Sequence, residues 1–236
     1  MVLEYGRLPL PLICSYAELK PKQVRSALLI MIQHNIMWHC SSPDNSEIYF
    51  ECNSDEILSR IRFGRYIRFC IESFKDEMEK QCAGEIITNI LLNGKLKSLD
   101  LLNDLPSYMP LEVSRKVLVR LVSTAAIVPS TPNMHISPRD KILIYEKEIK
   151  ASRYNKTSIL GPKDIKFIKE HSQLKLDEEY RAERGDVKEE DGLRVGMKRK
   201  KSSNKRSRDD DIEIDENIYF RVNYEHFNAK LRNRVS

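Results

Sequence analysis

Residues 6–52 read GRLPLPLICSYAELKPKQVRSALLIMIQHNIMWHCSSPDNSEIYFEC. Pro21 stands where a helix is expected to start, because the N–H that proline lacks has no intrahelical partner in a first turn. From Val24 the apolar residues recur at Ala27, Leu28, Met31 and Ile32, one face of a 3.6-residue period, with Lys22, Arg25, Ser26 and Gln33 opposite. His34-Asn35 closes that helix and Ile36 to Cys40 favours a strand. Ser41 to Ser46 is turn chemistry, and Glu47 to Cys52 alternates as a return strand. With a short strand and a helix ahead of Pro21, the order is strand, helix, turn, helix and a two-stranded wing: a winged helix. The second helix of such a unit, here Pro21 to Gln33, can enter the DNA major groove.

The plan recurs. Gly94-Lys95-Leu96 echoes Gly6-Arg7-Leu8, and Pro110 followed by Val113 echoes Pro21 followed by Val24. The helix after Pro110 sets Val113, Val117, Leu118, Leu121 and Val122 on one side, with Arg115, Lys116 and Arg120 on or near the other. Ile127-Val128-Pro129 and Met134-His135-Ile136 are expected to form a second, shorter wing around Ser130 to Asn133. Between the copies, Ser54 to about Asn93 reads as helix. Ser54 is its N-cap, and Asp55 and Glu56 sit in the first turn, where acidic groups suit the helix dipole. Ile57, Ile61, Ile67 and Ile71 are expected as its apolar stripe, Arg60, Arg62, Arg65 and Arg68 as a basic surround, and Gly64 and Gly84 as breaks.

Composition fits without being decisive. The chain has 236 residues, 41% of them hydrophobic and 32% charged, with a net charge of +5. That leaves room for more than one small domain and permits contact with nucleic acid without requiring it. The five cysteines show no CxxC spacing, and no signal peptide or membrane-length apolar run appears, so reduced thiols are expected. No Gly-rich phosphate loop, nucleophile elbow or HExxH is present, so no catalytic residue is assigned. Asp209 to Asp211 offers no fixed geometry for a metal, and His34, His39, Cys40 and Cys52 match no zinc spacing. No metal and no cofactor is expected. From Ser158 apolar periodicity fades, and MKRKKSSNKRSRDDDIEIDE (Met197 to Glu216) is low in complexity, so residues 155–214 are expected as a disordered charged linker.

The residues reach a family at this point. GRLPLPLICSYAELKPKQVRSALLIMIQHNIMWHC and IYFECNSDEILSRIRFGRYI resemble the N-terminal winged-helix region of a large RNA polymerase III subunit, the polymerase-specific subunit related to transcription factor IIE α. The tail DENIYFRVNYEHFNAKLRNR resembles that family where its third winged helix begins. Family members carry a further helix before the Leu-Glu-Tyr-Gly segment and continue well past the position of Ser236. The resemblance therefore implies an N-terminal piece or a short product, with an incomplete lid over Leu10, Ile13, Leu28 and Ile32 and reduced independent stability. The implied organisation is mainly α with small β-hairpins: a first winged helix (1–53) with a truncated opening helix, a helical connection (54–93), the remainder of a second winged helix with a trailing helix (94–154), the linker (155–214), and the start of a truncated third winged helix (215–236).

The resemblance also implies a role: a non-catalytic subunit of DNA-directed RNA polymerase III, in the nucleus. Its partners would be the polymerase-specific subcomplex and the clamp of the largest subunit, with promoter DNA a further candidate and no membrane. It would assist assembly, promoter opening and initiation on genes for tRNA, 5S rRNA and other small RNAs. The alternative is a free-standing tandem winged-helix DNA-binding factor. Candidate docking or nucleic-acid residues are Lys20, Lys22, Arg25, Arg115, Lys116 and Arg120; the bland alternative is a face packed on another subunit or on water. Lys198, Arg199, Lys200, Lys201, Lys205, Arg206 and Arg208 suit a nuclear localisation signal, against a solvated charge run neutralised by Asp209 to Asp211.

Overall fold

The computed structural model describes residues 1–41, 47–154, 160–185, 197–199 and 212–233. The chain divides into two units, residues 1–53 with 132–182 and residues 54–131 with 183–236.

In the first unit α1 (Val2–Tyr5) ends on Gly6, whose φ of 78° lies in the region that favours glycine. β1 (Leu8–Pro9) leads into α2 (Leu10–Ala17) and α3 (Pro21–Gln33). The last turn of α3 closes as Asn35 takes φ 55° and the Ile36 N–H reaches back to Met31 O at 2.9 Å, a left-handed cap that satisfies a terminal carbonyl. β2 (Met37–Ser41) and β3 (Ile48–Cys52) follow as the wing, and the antiparallel sheet runs β1-β3-β2. The turn expected over Ser41 to Ser46 lies, beyond Ser41, outside the described residues. Leu8, Ile13, Val24, Leu28, Met37 and Phe50 form the core, with Leu10 and Ile32 only half-buried beside it.

The second unit begins with α4 (Ser54–Ser59), a 3-10 turn (Arg60–Arg62), α5 (Phe63–Glu72) and α6 (Glu77–Asn93). Neither Gly64 nor Gly84 breaks a helix. At Gly84 a Cβ would stand 3.2 Å from the Ile71 side chain, so the glycine lets α5 and α6 approach closely. The expected stripe Ile57-Ile61-Ile67-Ile71 is corrected: Ile61 is 82% exposed, and Tyr66 and Cys70 are the buried positions of α5. The step of six residues from Ile61 to Ile67 is more than one and a half turns, so the two cannot share one helix face. β4 (Leu96–Lys97), α7 (Ser98–Asn103), α8 (Leu111–Ser123) and β5 (Ile127–Pro129) then repeat the first plan. Ala125 takes φ 58° and the Ala126 N–H meets Leu121 O at 3.0 Å, the same cap as at Asn35.

The second wing does not close where the local turn suggested. Pro132–His135 is a 3-10 turn rather than the run into a return strand. The chain instead makes α9 (Pro138–Arg153) and α10 (Pro162–Glu183), and then β6 (Met197–Arg199), β7 (Ile212–Ile214), β8 (Tyr219–Val222) and α11 (Tyr224–Asn233). β8 is the missing strand: the second sheet runs β4-β8-β5, with Leu96 opposite Phe220 and Ile127 opposite Val222. Residues 215–236, expected to open a third winged helix, thus complete the second, because Phe220 and Val222 bury in its core. The expected linker is corrected over Pro162–Glu183, where a 22-residue helix buries Ile168, Ser172 and Leu176 at intervals of one turn. Of that linker, residues 155–159, 186–196 and 200–211 lie outside the described residues, while β6 and β7 pair with Met197 opposite Ile214.

Within the first unit α9 is held by a buried carboxylate. Arg7 donates to Asp140 Oδ1 at 2.6 Å, the Ser137 hydroxyl donates to Asp140 Oδ2 at 2.8 Å, and Ser137 Oγ caps the helix by accepting the Asp140 N–H. Lys141, also buried, meets Glu179 on α10 at 3.4 Å and lies over the Tyr180 ring. Polar pairing of this kind lets two charged helices pack with few apolar contacts.

Candidate docking and nucleic-acid faces

The side chains of the α3 start derive from its cap. Gln23 reaches back to accept the Lys20 N–H at 3.2 Å, and Val24 and Leu28 turn inward to the core. Lys20, Lys22 and Arg25 are consequently left on the solvent side, all exposed. The first turn of α3 holds no acidic residue. Three cations and the positive end of the helix dipole therefore face water together, an arrangement that suits an anionic partner. Farther along α3, Leu29 and Ile30 are exposed as well, which the helical period alone did not single out.

The equivalent end of α8 differs. Ser114, Val117, Leu118, Leu121 and Val122 are buried, and Arg115 and Lys116 are exposed, but Glu112 stands in the first turn. Arg120 is tied down: it donates to Ser73 O at 3.1 Å, meets Glu79 at 3.6 Å and lies 4.5 Å from the Phe74 ring centroid. Its guanidinium braces α8 against the start of α6. Each basic group belongs to its own unit. Of the localisation candidates, Lys198 and Arg199 fall in β6 and the others lie outside the described residues.

Arg7 and Lys95 hold matching places after Gly6 and Gly94, and their surroundings differ. Arg7 has Asp140 and the Tyr49 ring. Burial, and then the neighbouring Arg221, lowers Lys95 to about 8. Burial pushes the Cys70 thiol up to about 12 and raises Cys52 and Cys82 also, so these thiols are protonated at neutral pH. His39 stacks on His135 with centroids 6.4 Å apart. Among the described residues no three His, Cys, Asp or Glu side chains are grouped to hold a metal.

One structural position escaped the sequence reading. Asn223 donates through Nδ2 to Ala125 O at 3.0 Å and to Arg184 O at 2.9 Å, and its Oδ1 accepts the His226 N–H. It thereby fixes the end of β8 to the α8 cap and to the start of α11. The signal was available: Ile48-Tyr49-Phe50 followed by Asn53 returns as Ile218-Tyr219-Phe220 followed by Asn223. The backbone repeats too, with the Asn53 N–H on Ile36 O at 2.7 Å and the Asn223 N–H on Ala126 O at 3.0 Å.

Comparison with known proteins places the chain in a family. Residues 1–38 match the RNA polymerase III subunit RPC82 helix-turn-helix domain, and residues 116–235, just over half of the chain, match the family described as RNA polymerase III subunit RPC82. A DNA-directed RNA polymerase III subunit RPC-3 of Coccidioides immitis is 31% identical over 109 residues, covering 46% of this chain and 16% of the relative. The corresponding subunit of Botryotinia fuckeliana is 24% identical over 178 residues, covering 65% and 26%. That of Eremothecium gossypii is 26% identical over 163 residues, covering 66% and 26%. The chain spans about a sixth to a quarter of the length of these relatives. With just over half of its length matched by that family, the chain belongs to the RNA polymerase III subunit RPC82 family.

Proposed function

We propose that this chain serves as a non-catalytic part of DNA-directed RNA polymerase III in the nucleus, where its winged helices act as docking blocks during assembly and initiation. The observation that carries the reading is the family match over residues 1–38 and 116–235, which takes in part of each winged helix. Each block is held together by a small apolar core, which leaves its helix faces for contacts. The cationic start of α3 (Lys20, Lys22, Arg25) and the exposed Arg115 and Lys116 of α8 are the surfaces offered to acidic subunit faces or to promoter DNA near the opened strands. Phosphate contacts there would release counterions and weaken as salt rises. The partners under this reading are the polymerase-specific subcomplex and the clamp of the largest subunit, and the products are tRNA, 5S rRNA and other small RNAs.

The test is affinity purification of the tagged chain from nuclear extract, with mass spectrometry of what accompanies it. Stoichiometric recovery of the largest polymerase III subunits is expected. Recovery of the chain alone, with selective binding to short duplexes, would replace this reading with that of a free-standing DNA-binding factor. Lys22→Glu with Arg25→Glu should reduce polymerase recovery or initiation while leaving the melting temperature unchanged, since both side chains are exposed. Undiminished recovery and transcription would remove the α3 face from the mechanism.

A further inference from the structure

The helical run from α4 to α5 turns a face outward that the second winged helix does not use. Its inner side carries Ser59, Tyr66 and Cys70, with Phe63, Ile67 and Phe69 packed alongside. Leu58, Ile61, Arg65 and Arg68 succeed one another at steps of three and four residues, the spacing that places side chains on one helix stripe. Leu58 is 60% and Ile61 82% exposed. Arg65 and Arg68 are exposed and have no ion pair or hydrogen bond among the described residues. The other arginines of the run are engaged: Arg60 lies over the Phe63 ring, and Arg62 donates to Asn228 Oδ1 at 2.9 Å. Glu72, one turn past Arg68, ends the stripe and already has a partner.

Single exposed apolar residues need no explanation, but two adjacent ones leading into two unpaired guanidiniums make a surface of mixed chemistry. A phosphate backbone would satisfy the arginines and give Leu58 and Ile61 nothing to bury against. A second copy would set guanidiniums against each other or against the two aliphatic side chains, since a two-fold contact repeats the same patch on both sides. We propose that this stripe docks an amphipathic helix of another protein, one that covers Leu58 and Ile61 with apolar side chains and meets Arg65 and Arg68 with Asp or Glu a turn away. Arginine is suited to that second task because its planar fork matches a carboxylate in two bonds.

The test is photo-crosslinking in living cells from a benzophenone amino acid replacing Ile61 in the full chain, with sequencing of the crosslinked peptide. The expected peptide has apolar residues at helical spacing with carboxylates one turn on. Its yield should fall about tenfold in the Arg65→Glu, Arg68→Glu background, the loss of two partly exposed pairs, and return when the partner's carboxylates are changed to lysine. Unchanged circular dichroism and melting of that double variant keep the result from being an unfolding effect. A crosslink to nucleic acid, to a second copy or to a neutral or basic peptide would overturn the proposal. So would a yield insensitive to the reversal, or no crosslink at all. The readout is independent of whether polymerase subunits co-purify.

Discussion

In the first winged helix Leu8 faces Phe50 and Met37 faces Cys52; in the second, Leu96 faces Phe220 and Ile127 faces Val222. Register, sheet order and the left-handed cap after the second helix are shared, yet the burial is not. The second copy packs its sheet and α8 under the 17-residue α6, which buries Cys82, Ala83, Gly84, Ile86, Ile87, Ile90 and Leu91. The core of the first copy is smaller, with Leu8, Ile13, Val24, Leu28, Met37 and Phe50 as its buried members among the described residues. On α3, Ala27 is exposed and Met31 and Ile32 are half-buried, where α8 has the buried Val117, Leu121 and Val122. The hydrogen-bonded frame thus fixes the fold, and the apolar burial behind the sheet determines how much stability that frame carries.

The largest break in this symmetry is expected at the central strands. Phe220→Ala should cost about 3–5 kcal/mol, the usual range for emptying a fully buried aromatic site, whereas Phe50→Ala, in the thinner core, should cost less. Denaturant melts of both variants check it, and equal losses would mean that the two cores are equivalent. Asn223→Ala comes next. It strands the carbonyls of Ala125 and Arg184 and removes the acceptor for the His226 N–H, at about 2–3 kcal/mol. Hydrogen exchange at the α11 start should report the loss, and unchanged exchange there would refute the fixing role.

A reciprocal pair sharpens the comparison at the level of one side chain. Val117→Ala should destabilise by about 1–2 kcal/mol, from two buried methyl groups, while Ala27→Val, on open surface, should fall within about 0.5 kcal/mol of no change. The smallest effect concerns Lys95. Its folded-state value of about 8 lies below the ordinary 10.5, so between those limits the folded lysine is neutral while the unfolded one still holds its proton. Stability from this group rises with pH through that window and the penalty is fully present below it. Lys95→Met should remove the rise, an effect below about 1 kcal/mol because the site is only half-buried. Melting temperatures of both proteins across that pH range are the check, and parallel curves would deny the shift.

These contrasts also explain what was legible. The amphipathic period of α3 and α8, the proline starts and the glycines at 6 and 94 are local signals, and both winged helices follow from them. β8 is not local. A wing normally returns within a few residues, so Met134 to Ile136 looked like the nearer partner for Ile127 to Pro129. The repeated Ile-Tyr-Phe ahead of Asn53 and Asn223 was the cue that outweighs proximity. α10 was obscured for another reason. Its buried side chains, Ile168, Ser172 and Leu176, come one per turn with a serine in the middle, too sparse an apolar signal to stand out among its charges. The cations of α3 were readable from the helical wheel, whereas the engagement of Arg120 with Ser73, Glu79 and Phe74 depends on a turn far away in sequence.

Hydrogen exchange of the two central strands in the intact chain measures the central claim most directly. The account predicts that the amides of β8 exchange as slowly as those of α6, through the same cooperative opening, and that the amides of β3 exchange faster. Fast exchange across Tyr219–Val222, with α6 still protected, would show that the second winged helix stands without this strand and would contradict the account.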